Sequence, residues 1–195
     1  MAFSELKEFV LSFHFMREED FNLIVPGLAY VEFNAKDHFC RTGSSSHHLG
    51  FVVQGAFRSY KVVGPKEVNT EFSFETDFIG DYASVANQTP SELNIQALES
   101  GRIISINSEV LFKAYDLSPN WIKLGGYMLK RAFFKERKRL EDLLLLDCQQ
   151  RYLQLLATQH GMFERVPLYH IASYLGMEKE SLSRLRSSIS KSIKS

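Results

Sequence analysis

The stretch PLYHIASYLGMEKESLSRLR, residues 167–186, decides how this chain is read. Ile171, Ala172 and Leu175 recur at helical spacing on one apolar face. Gly176 stands where that helix must end and the chain reverse, and glycine accepts the positive φ such a corner needs. A second amphipathic segment runs from Glu178, with Leu182, Leu185 and Ile189 inward. Its outward face carries Lys179, Glu180, Ser181, Ser183, Arg184 and Arg186. Several donors beside one acceptor are what base edges and phosphates require. The pattern predicts a helix-turn-helix whose second helix reads double-stranded DNA. The competing reading is an ordinary helical hairpin with a solvated polar face.

The 195-residue chain has 45% hydrophobic residues, enough for a sizeable core in one large or two small domains. Its formal net charge of zero argues by itself against a nucleic-acid partner. The distribution argues for one. Residues 1–118 hold 9 basic and 16 acidic side chains, residues 119–147 hold 7 and 4, and residues 148–195 hold 7 and 3. An acidic front and a basic back are expected if only the back meets DNA. Cys40 and Cys148 have no Cys or His partner at metal-ligand spacing, so no metal site and no cofactor is expected, and both thiols read as free and partly buried. The N-terminus lacks a secretory pattern and no apolar run approaches a membrane span. The expectation is a cytoplasmic protein with no membrane partner.

Working back from the motif, residues 149–159 read as a helix with Tyr152, Leu155 and Leu156 inward. Residues 120–147 read as one long helix, restarted by Pro119. Trp121, Leu124, Met128, Ala132 or Phe133, Leu140 and Leu144 make a partial apolar seam along it, suited to a dimer interface or to the chain's own core. Gly125 and Gly126 weaken this helix and let another backbone come close. A shorter helix begins at Ser108.

Between Leu28 and Ile106 the period drops to about two. Residues 30–33, 38–40, 51–53, 57–63, 70–74 and 103–106 read as strands, with turns at 43–46, 54–55, 64–65 and 100–101. Short strands with regular turns predict a closed antiparallel roll or jelly roll. One or two short helices precede it, ended by Pro26-Gly27, and the serine-rich tail from Ser187 reads as frayed. The fold class is α+β in three parts: a β-roll sensor over 1–118, a dimerisation helix over 119–147 and a helix-turn-helix over 148–195.

In this order the chain resembles the Crp/Fnr family of bacterial transcription regulators. The resemblance rests on Phe78-Ile79-Gly80-Asp81, on Gln96-Ala97-Leu98-Glu99 and on Ile171 to Arg186. It implies a homodimer that sets two recognition helices in successive major grooves, with RNA polymerase as a further partner. Lys179, Glu180 and Arg184 match the family's base-proximal positions. Arg184 resembles an arginine donating to guanine and Glu180 an acid accepting from cytosine. Ser181, Ser183 and Arg186 suit phosphate contacts, the alternative being a solvated helix face. The family usually adds a β-hairpin wing after this helix, and the nine residues after Arg186 are too few for one.

The resemblance also implies a cyclic-nucleotide cassette. In the family it opens Gly-Glu-Leu and closes about ten residues later with Arg-Ser or Arg-Thr, then Ala. Here Gly80, Asp81, Tyr82 and Ala83 stand at the opening, and Ser91 takes the arginine's place with Glu92 after it. A carboxylate there repels a phosphate, and the lost arginine removes a charge-assisted anchor. These five residues are the candidate effector pocket, for an unidentified small molecule rather than cyclic AMP. Two other readings stay open. One is a protein-interaction module built on a degenerate roll. The other is a cupin-type metal enzyme using His38, His47, His48, Glu67 and Glu71, although adjacent histidines on a strand point to opposite faces. No nucleophile–base constellation, phosphate loop or dinucleotide fingerprint is present, so no catalytic residues are expected.

Overall fold

A computed structural model describes residues 2–45, 47–159 and 161–192. Helices α1 (Ser4–Leu11) and α2 (Glu18–Ile24) come first, then a 3-10 turn at Val25–Gly27. Eight strands follow: β1 (Leu28–Phe33), β2 (His38–Cys40), β3 (His48–Gln54), β4 (Phe57–Val63), β5 (Lys66–Ser73), β6 (Phe78–Ile79), β7 (Asn94–Ala97) and β8 (Gly101–Asn107). A short α3 (Tyr82–Asn87) lies between β6 and β7. The strands form two four-stranded sheets, ordered β1-β8-β3-β6 and β2-β7-β4-β5. This is the expected roll. Strands β6 and β7 and helix α3 were not legible as elements: two, four and six residues are too few to show a period.

Strands β3 and β8 are the centre of the roll. They pair antiparallel, with Phe51 opposite Ile104 and Val52 opposite Ile103. Successive side chains point to opposite faces. Val52 and Ile103 therefore face the roll interior with Cys40, Phe57, Ile79, Ile95 and Ala97. Phe51 and Ile104 face the other way, against Leu6, Val10, Phe21, Ile24, Leu111, Trp121 and Leu124 of the helices. Burial on both sides explains why Phe51-Val52-Val53 and Ile103-Ile104 are consecutive apolar residues within a region read as period two.

Helices α4 (Ser108–Leu117) and α5 (Pro119–Leu145) follow β8. The Asn107 side chain caps α4, accepting from the N–H groups of Glu109 and Val110. The first turn of α5 is held by Asp20. Its carboxylate accepts from Ser118 Oγ at 2.5 Å, Asn120 Nδ2 at 2.9 Å and the Arg17 N–H at 2.9 Å. Trp121 Nε1 donates to the Asp20 carbonyl at 2.8 Å. Trp121, Leu124 and Met128 pack against the roll's helical core, the alternative to a dimer seam that their sequence left open. Gly125 faces the Tyr115 hydroxyl rather than another backbone, and Gly126 faces open space.

The remaining helices are α6 (Cys148–Thr158), α7 (Met162–Arg165), α8 (Leu168–Tyr174) and α9 (Lys179–Ser192). Asp147 caps α6 in a capping box with Gln150. Cys40 is buried, but Cys148 at the start of α6 is exposed rather than partly buried. The tail expected to fray is helical through Ser192. Among the described residues no helix is long and apolar enough to cross a membrane.

Packing groups the chain into two compact units, residues 1–61 with 71–130 and residues 62–70 with 131–195. The division falls inside α5, between the boundaries at 118 and 147 expected from sequence, and the hairpin tip 62–70 joins the second unit.

Burial alone pushes the Asp20 carboxyl up, but its three donors outweigh that and hold it below its ordinary value of 3.8. A depressed carboxylate stabilises the fold above that value, and the contribution is lost as pH falls through the folded value. Asp20→Asn should cost about 1–3 kcal/mol near neutral pH. It should also flatten the acid limb of stability against pH. Urea titrations across the acid range check both; an unchanged acid limb would show that Asp20 does not anchor α5.

Candidate nucleic-acid interface and nucleotide cassette

Helix α8 buries His170, Ile171 and Ala172, and Leu175 behind them. Gly176 takes φ +70°, the left-handed corner the sequence required. Two bonds close that corner: the Met177 N–H donates to the Ala172 carbonyl at 3.0 Å and the Gly176 N–H to Ser173 at 3.1 Å. These are the paired bonds of a Schellman end. Helix α9 then starts at Lys179, with Leu182 fully buried beneath it and Leu185 and Ile189 half-buried.

Lys179, Glu180, Ser183, Arg184 and Arg186 are all exposed on α9. Ser181 departs from the expected outward face. It is half-buried, and its Oγ accepts from Arg184 Nη2 at 3.4 Å. It thus lies beside the arginine, where it restrains the guanidinium.

Sequence reasoning missed the hairpin tip beside this motif. Asn69 is almost fully buried, and its Nδ2 lies 3.3 Å from the His170 carbonyl and 3.2 Å from His170 Nδ1. The Asn69 N–H donates to Ser173 Oγ at 3.0 Å, and Ser173 Oγ donates to the Glu67 carbonyl at 2.9 Å. Lys66 Nζ pairs with Glu178 Oε1 at 2.6 Å, just before α9. That ammonium holds the Glu178 carboxyl below its ordinary value. A buried asparagine must have its polar atoms satisfied, so this bonding fixes the tip to α8. A lone Asn in a strand carries no periodic signal to reveal it.

The cassette residues come together in part. Gly80 takes φ +151°, and a Cβ there would lie 2.5 Å from a Leu49 methyl, so the position requires glycine. Asp81 and Ser91 are buried side by side. Asp81 Oδ1 accepts the Ser84 N–H at 3.1 Å, capping α3, while Oδ2 accepts Ser91 Oγ and the Glu92 N–H, each at 3.0 Å. Burial pushes this carboxyl up, but those bonds and the Lys61 charge hold it below its ordinary value. Lys61 Nζ pairs with Glu92 at 2.9 Å. The carboxylate at the family's ribose position is therefore bonded to its own loop. Tyr82 and Ala83 lie exposed on α3, apart from that buried pair.

Two histidines of the metal-enzyme reading, His38 and His48, have other partners. His38 Nε2 meets the Tyr60 hydroxyl at 3.0 Å, and His48 Nδ1 meets Ser105 Oγ at 3.1 Å. Among the described residues no three metal-ligating side chains converge.

Residues 30–117 match the family model of the cyclic nucleotide-binding domain. No curated protein matches the chain in sequence. Among solved structures the chain is similar to FixK2 from Bradyrhizobium japonicum, at 17% identity and TM-score 0.74 over 85% of each chain. It is similar to the c-di-GMP responsive global regulator CLP of Xanthomonas campestris, at 15% identity and TM-score 0.73 over 90% of this chain and 93% of that one. It is also similar to a regulator assigned to the Crp/Fnr family from Eubacterium rectale, at 16% identity and TM-score 0.70 over 87% of this chain and 82% of that one. Residues 30–117 are thus similar to the cyclic nucleotide-binding domain, and the chain as a whole shares its fold with solved regulators of the Crp/Fnr type.

Proposed function

We propose that this chain is a cytoplasmic, homodimeric, sequence-specific regulator of transcription that binds double-stranded DNA through α9. The observation that carries the reading is one helix face. Lys179, Glu180, Ser183, Arg184 and Arg186 are exposed there, over a Leu182 buried to 0% exposure. Arginine paired to guanine and glutamate accepting from cytosine give sequence discrimination, while serines and the remaining cations suit phosphates. In this division of labour residues 1–118 sense, 119–147 join the protomers and 148–195 read DNA.

A stripe along helix α5 supports the dimer; it keeps Phe133, Leu140 and Leu144 of the seam suggested by sequence and has Ile122 and Leu129 in place of Trp121, Leu124 and Met128. Ile122, Leu129, Phe133, Leu140 and Leu144 fall on one stripe, at steps of seven and four residues, and all are exposed. Phe133 is 62% exposed and Leu144 73%. The residue on that stripe facing open space is Gly126, which lets a partner helix approach. A row of apolar side chains this long on a solvated helix fits a second copy of the same helix.

The effector is a ligand other than cyclic AMP. The residues at the cassette's phosphate end are Ser91 and Glu92, and Asp81 is already bonded to both.

The reading is tested by selecting bound sequences from random duplexes at two salt concentrations. A palindromic consensus, with affinity falling steeply as salt rises, is the expected result. Unenriched binding at both salts would move the reading to an interaction module. Arg184→Ala should cost about 1–3 kcal/mol on the consensus and relax one base pair of specificity. Unchanged discrimination would remove Arg184 from the interface. Phe133→Glu should shift the protein from dimer to monomer in sedimentation while leaving its folded spectrum intact. Cyclic AMP should leave consensus affinity unchanged, and a tightening of about tenfold would restore the nucleotide as effector.

A further inference from the structure

The second unit contains a cavity of about 270 Å³ walled by the C-terminal part of α5, by α6 and by the end of α8. Its lining is unusual in charge. Lys135, Lys138, Arg139 and Arg151 line it against a single carboxylate, Asp142. Asp142 is already engaged, accepting from Lys138 Nζ at 2.6 Å.

Among the described residues neither arginine is paired with a carboxylate. Arg151 donates to the Leu175 carbonyl at 3.0 Å, the Leu146 carbonyl at 2.6 Å and Cys148 Sγ at 3.3 Å. Arg139 Nη2 reaches the Asn69 and Tyr174 carbonyls only at 3.3 and 3.4 Å, and the guanidinium lies over the Tyr174 ring at 4.6 Å. Its Nε is buried without a hydrogen-bond partner among the described residues. These carbonyls, three of them at helix ends, fix the position of each guanidinium and offset its charge only in part. A concave, partly desolvated site holding two such charges raises the local concentration of anions.

We infer that this cavity is a binding site for a small phosphate-bearing anion. Its volume is that of about nine water molecules at about 30 Å³ each, just under the usual range of ligand pockets. That fits a compact metabolite phosphate better than the backbone of a duplex, which presents its phosphates on a convex rod. Gln154 adds a neutral hydrogen-bonding group to the wall. An anion here contacts α5, α6 and α8 together, so its binding stiffens the unit that carries α9. The inference stands without the DNA-binding reading, because it concerns the cavity alone.

The test uses the full chain and inorganic pyrophosphate as the probe, followed by calorimetric titration and by thermal unfolding. Pyrophosphate should bind saturably and raise the unfolding temperature. Sodium chloride at matched ionic strength should not. Lys135→Gln with Lys138→Gln alters exposed side chains only, so the variant should fold as before. It should bind pyrophosphate about tenfold more weakly. Arg139→Lys keeps the charge and loses the fork, and it should weaken binding too. A chloride effect equal to that of pyrophosphate, or unchanged affinity in the double variant, overturns the site. Displacement of bound pyrophosphate by a random-sequence duplex overturns it as well, since the cavity would then be a contact for nucleic-acid backbone.

Discussion

Two adjacent strands that are apolar on both faces govern this molecule. Because Val52 and Ile103 need cover on one side and Phe51 and Ile104 on the other, the sheet must close into a roll and helices must cover its outside. Trp121 and Leu124 supply part of that cover, and Asp20 fixes the turn in which Trp121 stands. With that face of α5 committed to the roll, the stripe from Ile122 to Leu144 is exposed among the described residues. The same burial that builds the roll thus decides which side of the long helix stays exposed.

The helix-turn-helix was legible because three independent signals agree over twenty residues: an apolar face, a glycine in the corner and a second apolar face. The roll was legible in outline from its period-two runs and turn residues. The long helix was legible as a helix but not in orientation. It carries apolar residues on two faces, and periodicity does not say whether Trp121 or Ile122 meets the chain's own core. Composition could not settle Cys148 either. Its place at the exposed start of α6 follows from the Asp147 cap, not from the residue type.

Within the cassette, the sequence revealed which charges were missing but not what took their place. Asp81 looks from sequence like a shortened ribose ligand. In the structure it is a helix cap and a loop clasp, with Ser84, Ser91 and Glu92 donating to it. The loop between β6 and β7 keeps its shape through hydrogen bonds where relatives with the full cassette would bring an arginine to a phosphate. At the hairpin tip no motif marked Asn69, yet its bonds fix residues 62–70 within the helical unit.

That attachment has a consequence for the order in which the chain matures. Asn69 and His170 are 101 residues apart in sequence. The tip therefore leaves the ribosome long before α8 exists, and during that interval Asn69 and Lys66 are satisfied by water. Contacts of such separation form late, after the loop-closure entropy between them has been met. The roll can complete its own core first, while the helical unit needs both a strand turn and a helix made 101 residues later.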